Sequence, residues 1–385
     1  MKIQCPSHQN AIRFPMLLTL VLVFVASAGA ATLTVGNGTG PCTIPLFSTI
    51  QLAINASHPG DTINVCPGTY HESITIDQTH ANLTVHGVTV GNQNQPVLMP
   101  LTAPPFSIVF VQRAKNVTIS GLTLDASGIS CQTMGVFFDQ SSGTINGMSM
   151  DCVGIEVATP NPAPLHVDVS NNNVHHNGIG ILNSSMPFAA NALDVSVTGN
   201  AISLGTANGL TSGPPLDSSG ITFYRATGEI SGNVVTGGPC VGPNNCVRGF
   251  YYPYPANIVV TATAPVKVKN NSVFANLAGI EIFGDSCEIQ GNTISDSYSA
   301  GIFTLGNKNK LSGNTIFHTG LYGILIDGGA NNFLDNSVND SPNGLALSGD
   351  DGNVGPEQYK TFIIRLKKKY SNIDNLLVFP GPQSP

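Results

Sequence analysis

The chain has 385 residues, a net charge of −7, only 10% charged residues and 42 glycines. Roughly a quarter of the residues are charged in an ordinary globular domain, so this composition favours an extended stack in which glycine-rich turns recur. No basic cluster precedes Lys367–Lys369. We therefore do not expect nucleic acid as a partner.

Residues 1–30 have the pattern of a secretory signal peptide. Two basic residues precede an apolar run over residues 15–25, and small residues follow at 26–30. A membrane anchor is the alternative, but the run is shorter than the roughly 20 residues that a spanning helix needs. No later stretch is long and apolar enough to span a bilayer, so the sequence predicts a secreted or extracytoplasmic mature chain.

The first predicted element of the mature chain is a short helix. Ser48 and Gln51 have the spacing of a capping box, and apolar residues follow. An uncovered edge coil invites aggregation. We therefore expect the apolar face of this helix to cover the open start of the stack.

A repeat of about 22 residues is clearest between Val266 and Asp350. An Asn-Ser/Thr-Val/Ile motif recurs at spacings of 21, 22 and 22 residues, and a Gly-Ile/Leu motif recurs in phase with it. The asparagines are Asn271, Asn292, Asn314 and Asn336, with weaker copies at Asn172, Asn200 and Asn233. Each copy holds short strands with apolar residues at period two, and the long i, i+3, i+4 patterns of helical repeats do not occur.

This repeat predicts an all-β fold, a right-handed parallel β-helix over residues 31–354. Identical turns stack in such a helix, so we expect the repeated Asn to form an inward hydrogen-bonded ladder. The Gly before each Ile is expected to supply a tight or positive-φ corner.

Two segments interrupt the period, and the end of the chain does not share it. Residues 205–219 and 237–265 are rich in Gly and Pro and are predicted to be loops that leave the stack. For residues 355–385, a C-terminal cap and a disordered tail are both open interpretations.

Seven cysteines remain after removal of the leader, and export permits disulfides. The expected pairs are Cys42–Cys66, Cys131–Cys152 and Cys240–Cys246. The middle pair is 21 residues apart, about one coil, and equivalent positions on stacked coils lie within bridging distance. Cys287 is then unpaired, and its alignment with the inward Val266 predicts a buried free thiol.

The repeat, together with the segment from Ser48 to Tyr70, resembles the right-handed parallel β-helix superfamily, whose best known members are pectate lyases. Similar openings occur in many exported β-helix proteins and, more loosely, in pectin methylesterases. The resemblance implies a protein that binds or modifies a polysaccharide, an anionic one among the candidates, by lyase or epimerase chemistry if it is an enzyme. The signatures of polygalacturonases, pectin methylesterases and pectate lyases are not intact here. A non-catalytic secreted or surface solenoid is therefore the alternative.

The candidate substrate-binding residues are aromatic and arginine side chains near the two insertions. They are Arg248, Tyr251, Tyr252, Tyr254, Tyr224 and Arg225. Sugar rings stack on aromatic faces, and arginine binds uronate carboxylates in a planar fork. The alternative is an aromatic loop that packs onto the stack.

A candidate acid/base column appears when the coils are aligned. The position four residues after the ladder Asn carries Asp296, His318 and Asp340 on successive coils, with His176 upstream. Stacking would hold these side chains near 5 Å apart, which suits proton transfer or cation binding. A solvated turn is the alternative.

Ca²⁺ is the candidate cofactor. Asp285, Asp350 and Asp351 follow the Gly-Ile strands at a constant offset, with Asn307 between them in the series. Converging carboxylate and amide oxygens are the ligands that Ca²⁺ prefers. These are also turn positions, so a purely structural role stays open.

Two glutamates take outward positions just after the Gly-Ile motif. They are Glu156 and Glu281, and Glu281 should stack next to Phe303 and Leu325 on the outer face of the helix. This strip of polar and apolar residues is either a binding groove or a contact with the C-terminal segment.

Overall fold

The computed structural model describes residues 29–36, 42, 44–89, 95–104, 106–129, 133–189, 192–204, 219–237, 256–262, 265–348 and 376–378. The predicted signal peptide lies almost entirely outside these residues. Within them, no helix has the length and apolar character needed to cross a membrane.

The chain winds into a stack of coils whose strands are all paired in parallel and form three faces. Apolar side chains alternate with polar ones along each strand, so the apolar set of every coil points into one continuous core. Connections between parallel strands are right-handed in nearly all proteins. The predicted right-handed parallel β-helix is confirmed.

Face one is a sheet of 12 parallel strands. Its strands are Thr32–Val35, Thr62–Val65, Thr84–Gly87, Val117–Ser120, Gly143–Asn146, Leu165–Ser170, Leu193–Thr198, Thr227–Ser231, Val266–Lys269, Glu288–Gln290, Lys310–Ser312 and Asn332–Leu334. Their inward residues, such as Ile119, Ile145 and Val169, stack in register and are fully buried.

Face two consists of short strands that follow face one in each coil. They are Thr69–Tyr70, Val97–Leu98, Thr123–Asp125, Ser149–Asp151, Asn173–His175, Ala201–Ser203, Val234–Thr236, Thr315–Phe317 and Ser337–Asn339. The first halves of two strands of 13 residues, Ser272–Gly284 and Thr293–Leu305, complete this face.

Face three contains the second halves of those two long strands, which therefore join faces two and three into one sheet. Its other strands are Ile74–Ile76, Ser107–Gln112, Met134–Asp139, Ile155–Thr159, Ile179–Asn183, Ile221–Tyr224, Ala256–Ala262, Tyr322–Asp327, Asn343–Ser348 and Leu376–Val378.

Two strands correct or extend the sequence prediction. Ala256–Ala262 lies inside the segment predicted to be a loop, but Ile258 and Val260 alternate inward and are fully buried. That segment is therefore partly a strand of face three, and the expectation of a loop over all of 237–265 is wrong. Leu376–Val378 pairs in parallel with Asn343–Ser348, so part of the C-terminal region adds a strand to the stack.

The predicted asparagine ladder runs through seven coils between faces one and two. Each of the first six ladder asparagines donates from Nδ2 to the Oδ1 of the next, at 2.7–2.9 Å, and all seven are at most 1% exposed. The same Oδ1 also accepts the backbone N–H of the preceding ladder residue, as Asn292 does for Asn271 at 3.0 Å. Every coil thus satisfies its buried amide with the neighbouring coil.

The Gly-Ile corners are tight rather than left-handed. A Cβ atom at Gly279 would collide with Ile294 and with the carbonyl of Gly301, so no larger residue fits there. The left-handed φ values occur instead at turn residues such as Asp296 and His318, with φ of 59° and 54°. Asp, Asn and His tolerate this region better than most residues.

A helix covers the start of the stack, as predicted. It spans Ile50–Ala56 and buries Ile50, Ala53 and Ile54, but its N-cap is Thr49 rather than Ser48, because the Thr49 hydroxyl accepts the Leu52 N–H. Gln51 does not close a capping box, since its amide oxygen accepts the backbone N–H of Thr75 at 2.7 Å.

The cysteines agree with the prediction wherever the structure describes them. Cys42 and Cys66 form a disulfide with their Cα atoms 6.2 Å apart. Cys152 is disulfide-bonded, while its predicted partner Cys131 and the Cys240–Cys246 pair lie outside the described residues. Cys287 is a buried free thiol.

Candidate functional site

The outer surface of face three carries an unusual row of residues. It runs across the strands in register through Thr75, Phe110, Phe137, Glu156, Gly180, Thr222, Val259, Glu281, Phe303, Leu325 and Ala346. We call this row the outer strip. The predicted stacking of Glu281 next to Phe303 and Leu325 is part of it.

Aromatic side chains occupy both ends of the outer strip. Phe110 stacks on Phe106 and on Phe137, with ring centroids 4.8 and 5.5 Å apart. Phe303 meets Phe283 edge to face at 5.8 Å. Phe106 is 56% exposed, so at this end an aromatic face is open to solvent. Between the two aromatic ends lie the small residues Gly180 and Thr222.

Glu281 is the most unusual residue of the outer strip. Its neighbours in sequence, Ile280 and Ile282, point into the core, so the Glu281 side chain points outward, yet it is only 2% exposed. Its Oε2 atom has no hydrogen-bond partner. Burial raises the pKa of Glu281 to about 8, so the carboxyl is neutral at pH 7.

Glu156 occupies the same row on an earlier coil and is half-buried. Burial also raises the pKa of its carboxyl. Glu156 and Glu281 are four strand pairings apart, or about 19 Å at the usual strand spacing. Paired catalytic carboxylates of glycosidases stand roughly 5–9.5 Å apart. These two glutamates therefore do not form such a pair.

Tyr224 and Arg225 form a cluster at the edge of the strip. The Arg225 guanidinium lies 5.2 Å from the ring centroid of Tyr224 and 5.5 Å from that of Phe188. The buried amide of Asn183 donates to the Arg225 carbonyl at 3.0 Å and holds the turn. The structure thus brings together two predicted substrate-binding residues and adds Phe188, which the sequence alone did not indicate.

The four other predicted substrate-binding residues, Arg248, Tyr251, Tyr252 and Tyr254, lie outside the described residues. The strand Ala256–Ala262 begins shortly after Tyr254 and pairs with Ile221–Tyr224.

The predicted acid/base column is formed on the outer side of the turn between faces two and three. His318 Nε2 lies 3.0 Å from Asp340 Oδ2, and His318 Nδ1 lies 3.7 Å from Asp296 Oδ1. All three side chains are more than half exposed. Exposed pairs of this kind contribute little stability. His176 lies several coils away from this column, and its Nδ1 atom is 2.8 Å from Asp151 Oδ1.

The ligand atoms of Asp151, Cys152 and His176 lie within 4.8 Å of one another. The sulfur of Cys152 is engaged in a disulfide and is not a thiolate. This leaves one carboxylate and one imidazole, which are too few ligands for a metal site of the usual kind.

Of the three predicted Ca²⁺ ligands, the structure describes Asp285; Asp350 and Asp351 lie outside the described residues. The Asp285 Oδ1 atom accepts the backbone N–H of Asn307 at 2.6 Å, and the Asn307 Oδ1 atom accepts that of Gly329 at 2.8 Å. The column thus links successive turns through hydrogen bonds. Ca²⁺ binding there stays a prediction.

A second cluster of ionisable groups, on the outer side of face one, was not predicted. His166 lies 2.9 Å from Asp194 and 3.2 Å from Asp168. Burial alone would lower the pKa of His166, but the hydrogen bond that its imidazole N–H donates to Asp194 and the two carboxylate charges outweigh it and raise the pKa. The coil here is 28 residues long, so an alignment at 22 residues does not place His166 beside Asp194.

The family model described as "Periplasmic copper-binding protein (NosD)" matches residues 217–354, about a third of the chain. No curated protein matches the chain. The fold defines the chain as a right-handed parallel β-helix protein.

Several solved structures are similar over most of the chain. The Azotobacter vinelandii mannuronan C-5 epimerase AlgE6 A-module is 16% identical, with 87% of this chain and 94% of that chain covered and a TM-score of 0.39. An alginate lyase from Paenibacillus sp. is 12% identical, with 81% and 98% covered and a TM-score of 0.39. Pectate lyase Pel9A is 12% identical, with 80% and 77% covered and a TM-score of 0.35. At these values the likeness does not bear on the chemistry of individual residues.

The residues of the matched segment do not fit a copper site. Copper in proteins prefers thiolate, thioether and imidazole ligands. Residues 217–354 contain no Met and one His, His318, whose nearest ionisable neighbours are carboxylates. The described cysteine of the segment, Cys287, is 1% exposed, and burial raises the pKa of its thiol. The described residues thus bring no set of soft ligands together.

Proposed function

We propose that this chain is an exported protein that binds a polysaccharide along the outer strip of face three. The observation that carries the proposal is the cluster in which the Arg225 guanidinium lies over the ring of Tyr224 and over the ring of Phe188, at 5.2 and 5.5 Å from their centroids, beside that strip. Aromatic faces bind sugar rings, and a guanidinium binds a uronate carboxylate through two parallel hydrogen bonds.

The shape of the surface supports the same proposal. The strip crosses parallel strands about 4.8 Å apart, so a ligand along it meets a new side chain at each coil. Phe110 and Phe137 stand on one side of Gly180 and Thr222, and Phe303 stands on the other. A long ligand with repeated rings suits this arrangement better than a compact one.

Binding without hydrolysis is the mode that the geometry favours. The two glutamates of the strip are too far apart to act on one glycosidic bond. Lyase or epimerase chemistry needs a positioned base, and the Arg225 guanidinium is already engaged with the rings of Tyr224 and Phe188. Turnover therefore belongs to the test of the proposal and is not assumed.

The experiment is a panel of uronate-containing and neutral polysaccharides in affinity gels, each with and without Ca²⁺. We expect retardation by uronate polymers for the wild-type protein and its loss in Arg225→Ala, with partial retention in Arg225→Lys because lysine keeps the charge and loses the planar fork. Lys267→Ala removes an exposed cation from face one and is the matched control. Equal retardation of Arg225→Ala and wild type would contradict the proposal.

Absorbance of unsaturated product in the same mixtures tests lyase activity. A rise in the wild type would add turnover to binding, whereas retardation without product would favour a non-catalytic binding protein. A requirement for Ca²⁺ in either assay would support the predicted cofactor.

A further inference from the structure

Glu281 has a property that the fold does not explain. A charged residue on the outer side of a β-strand is normally solvated, but Glu281 is 2% exposed. Three buried side-chain atoms among the described residues lack a hydrogen-bond partner, and Glu281 Oε2 is the one that belongs to an ionisable group. A buried polar atom without a partner loses its hydrogen bonds to water and gains none in return, so it destabilises the fold.

Among the described residues, no cation counteracts the effect of burial on the pKa of Glu281. The register neighbours on the adjoining strands are Val259 and Phe303, and the next outward positions on those strands are Thr261 and Leu305. Asp285 directly follows the strand that carries Glu281, and Asp296 and Tyr298 lie in the first half of the neighbouring long strand, but burial alone accounts for the raised pKa of Glu281. The group is therefore a carboxylic acid with an O–H that can donate.

We propose that a uronate unit bound on the outer strip reaches the covered carboxyl of Glu281, whose Oε2 atom has no partner in the stack, and accepts a hydrogen bond from it through a carboxylate oxygen. This inference rests on the proposed function and names its ligand class. A neutral acid does not repel an anionic sugar, as an ionised glutamate would. A hydrogen bond to a charged acceptor is roughly twice as strong as one between neutral groups.

The distance between Glu281 and Arg225 determines how long a ligand must be to contact both residues. Thr222, on the strand that leads to Arg225, is two strand pairings from Glu281, or about 10 Å along the stack. One monosaccharide does not reach both groups. An oligomer of uronate units does, with one carboxylate on the Arg225 guanidinium and another on the Glu281 O–H.

The test measures the affinity of polygalacturonate for the full chain between pH 6 and pH 9.5. Its fully methyl-esterified form, which lacks carboxylates, is the matched ligand. We expect the wild-type affinity to fall about tenfold or more as the pH rises through 8, because Glu281 loses the donated proton and gains a charge that repels the ligand. The esterified polymer should show no such fall.

Variants of Glu281 distinguish the effect of the donated proton from the effect of side-chain volume. Glu281→Gln keeps a neutral donor and should bind at all of these pH values without the fall. Glu281→Leu fills the space without a donor and should bind weakly throughout. Glu229→Gln, an equivalent change on face one, should behave like the wild type.

The outcomes distinguish this inference from the proposed function. If the wild type binds the uronate polymer with an affinity that stays flat to pH 9.5, or if Glu281→Gln shows the same fall, the inference is overturned and the binding surface stands. If the wild type binds no polysaccharide at any pH, both fail. Carboxyl ¹³C NMR of glutamate-labelled protein, with Glu281→Gln for assignment, adds a ligand-free check: a Glu281 that titrates near the ordinary 4.5 overturns the inference alone.

Discussion

The asparagine ladder inside the stack and Glu281 on its outer side are both almost completely buried. They differ in their hydrogen bonds. Asn292 donates to the Val268 carbonyl and to Asn314, and its own oxygen accepts two bonds from Asn271. Glu281, one coil away, leaves Oε2 without a partner. Each ladder asparagine is hydrogen-bonded to the neighbouring coil, whereas no described residue is hydrogen-bonded to Glu281 Oε2.

This difference separates structural residues from candidate functional ones in a repeat protein. A polar residue that the repeat itself pairs is accounted for by stability. A buried polar residue that the repeat leaves unpaired lowers stability, so it needs another explanation. The comparison predicts opposite effects when the two kinds of residue are replaced.

The largest expected effect on the free energy of unfolding comes from breaking the asparagine ladder. Asn292→Ala removes the acceptor of the Asn271 backbone N–H and one donor to the Val268 carbonyl, and it creates a cavity. We expect the free energy of unfolding to fall by roughly 3–5 kcal/mol in urea denaturation. Asn332→Ala, an exposed change on face one, is the control and should lie within about 0.5 kcal/mol of the wild type.

The pH dependence of the free energy of unfolding tests whether the Glu281 carboxyl is neutral in the folded chain. The folded pKa of Glu281, about 8, lies above the ordinary 4.5, so the folded chain holds a proton that the unfolded chain releases in this range. The stability contributed by this group is therefore full below about pH 4.5 and is lost as the pH rises to 8. Relative to Glu281→Gln, the wild type should lose roughly 2–3 kcal/mol between pH 6 and pH 8. A constant difference between the two proteins would contradict the neutral carboxyl.

The regular half of the fold could be predicted because its coils are equal in length. From Asn271 to Asn336 the ladder recurs at 21 or 22 residues, so one alignment places every strand. Upstream, Asn200 and Asn233 are 33 residues apart and Asn233 and Asn271 are 38, because insertions lengthen those coils. The contact between His166 and Asp194 was missed for this reason.

The candidate site was only partly predictable. Strand alternation was enough to place Glu281 next to Phe303 on the outer surface. It could not indicate that Glu281 is buried, since burial outside the stack depends on contacts distant in sequence. Phe188 was missed for the same reason, because it reaches Arg225 from another coil. A second ladder, in which Asn309 donates its N–H to Asn331 at 2.8 Å, was missed because asparagine in a turn is ordinary.

A smaller effect is expected in the core itself. Thr304 points inward between Ile282 and Ile326, is fully buried, and its hydroxyl has no partner. Thr304→Val keeps the shape and removes the unpaired hydroxyl, so it should raise the free energy of unfolding by about 1 kcal/mol. Thr319→Val is the matched control with the opposite sign, because the Thr319 hydroxyl donates to Ser341 at 2.6 Å.

The smallest effect is expected in the exposed Asp296–His318–Asp340 column. His318→Ala should change the free energy of unfolding by less than about 1 kcal/mol, because all three side chains are solvated. His175→Ala, which removes an exposed histidine from face two on an earlier coil, is the control. Unchanged polysaccharide turnover and metal binding in His318→Ala would remove the column as a candidate site.

The most direct test of the difference between the asparagine ladder and Glu281 uses Asn292→Ala and Glu281→Leu at pH 7. It measures the free energy of unfolding and the affinity for a polyuronate for both variants. We expect Asn292→Ala to lose stability while its folded fraction binds like the wild type. Glu281→Leu should be at least as stable as the wild type and should bind at least tenfold more weakly. If Glu281→Leu is instead destabilised and still binds normally, Glu281 is a structural residue and the account is wrong.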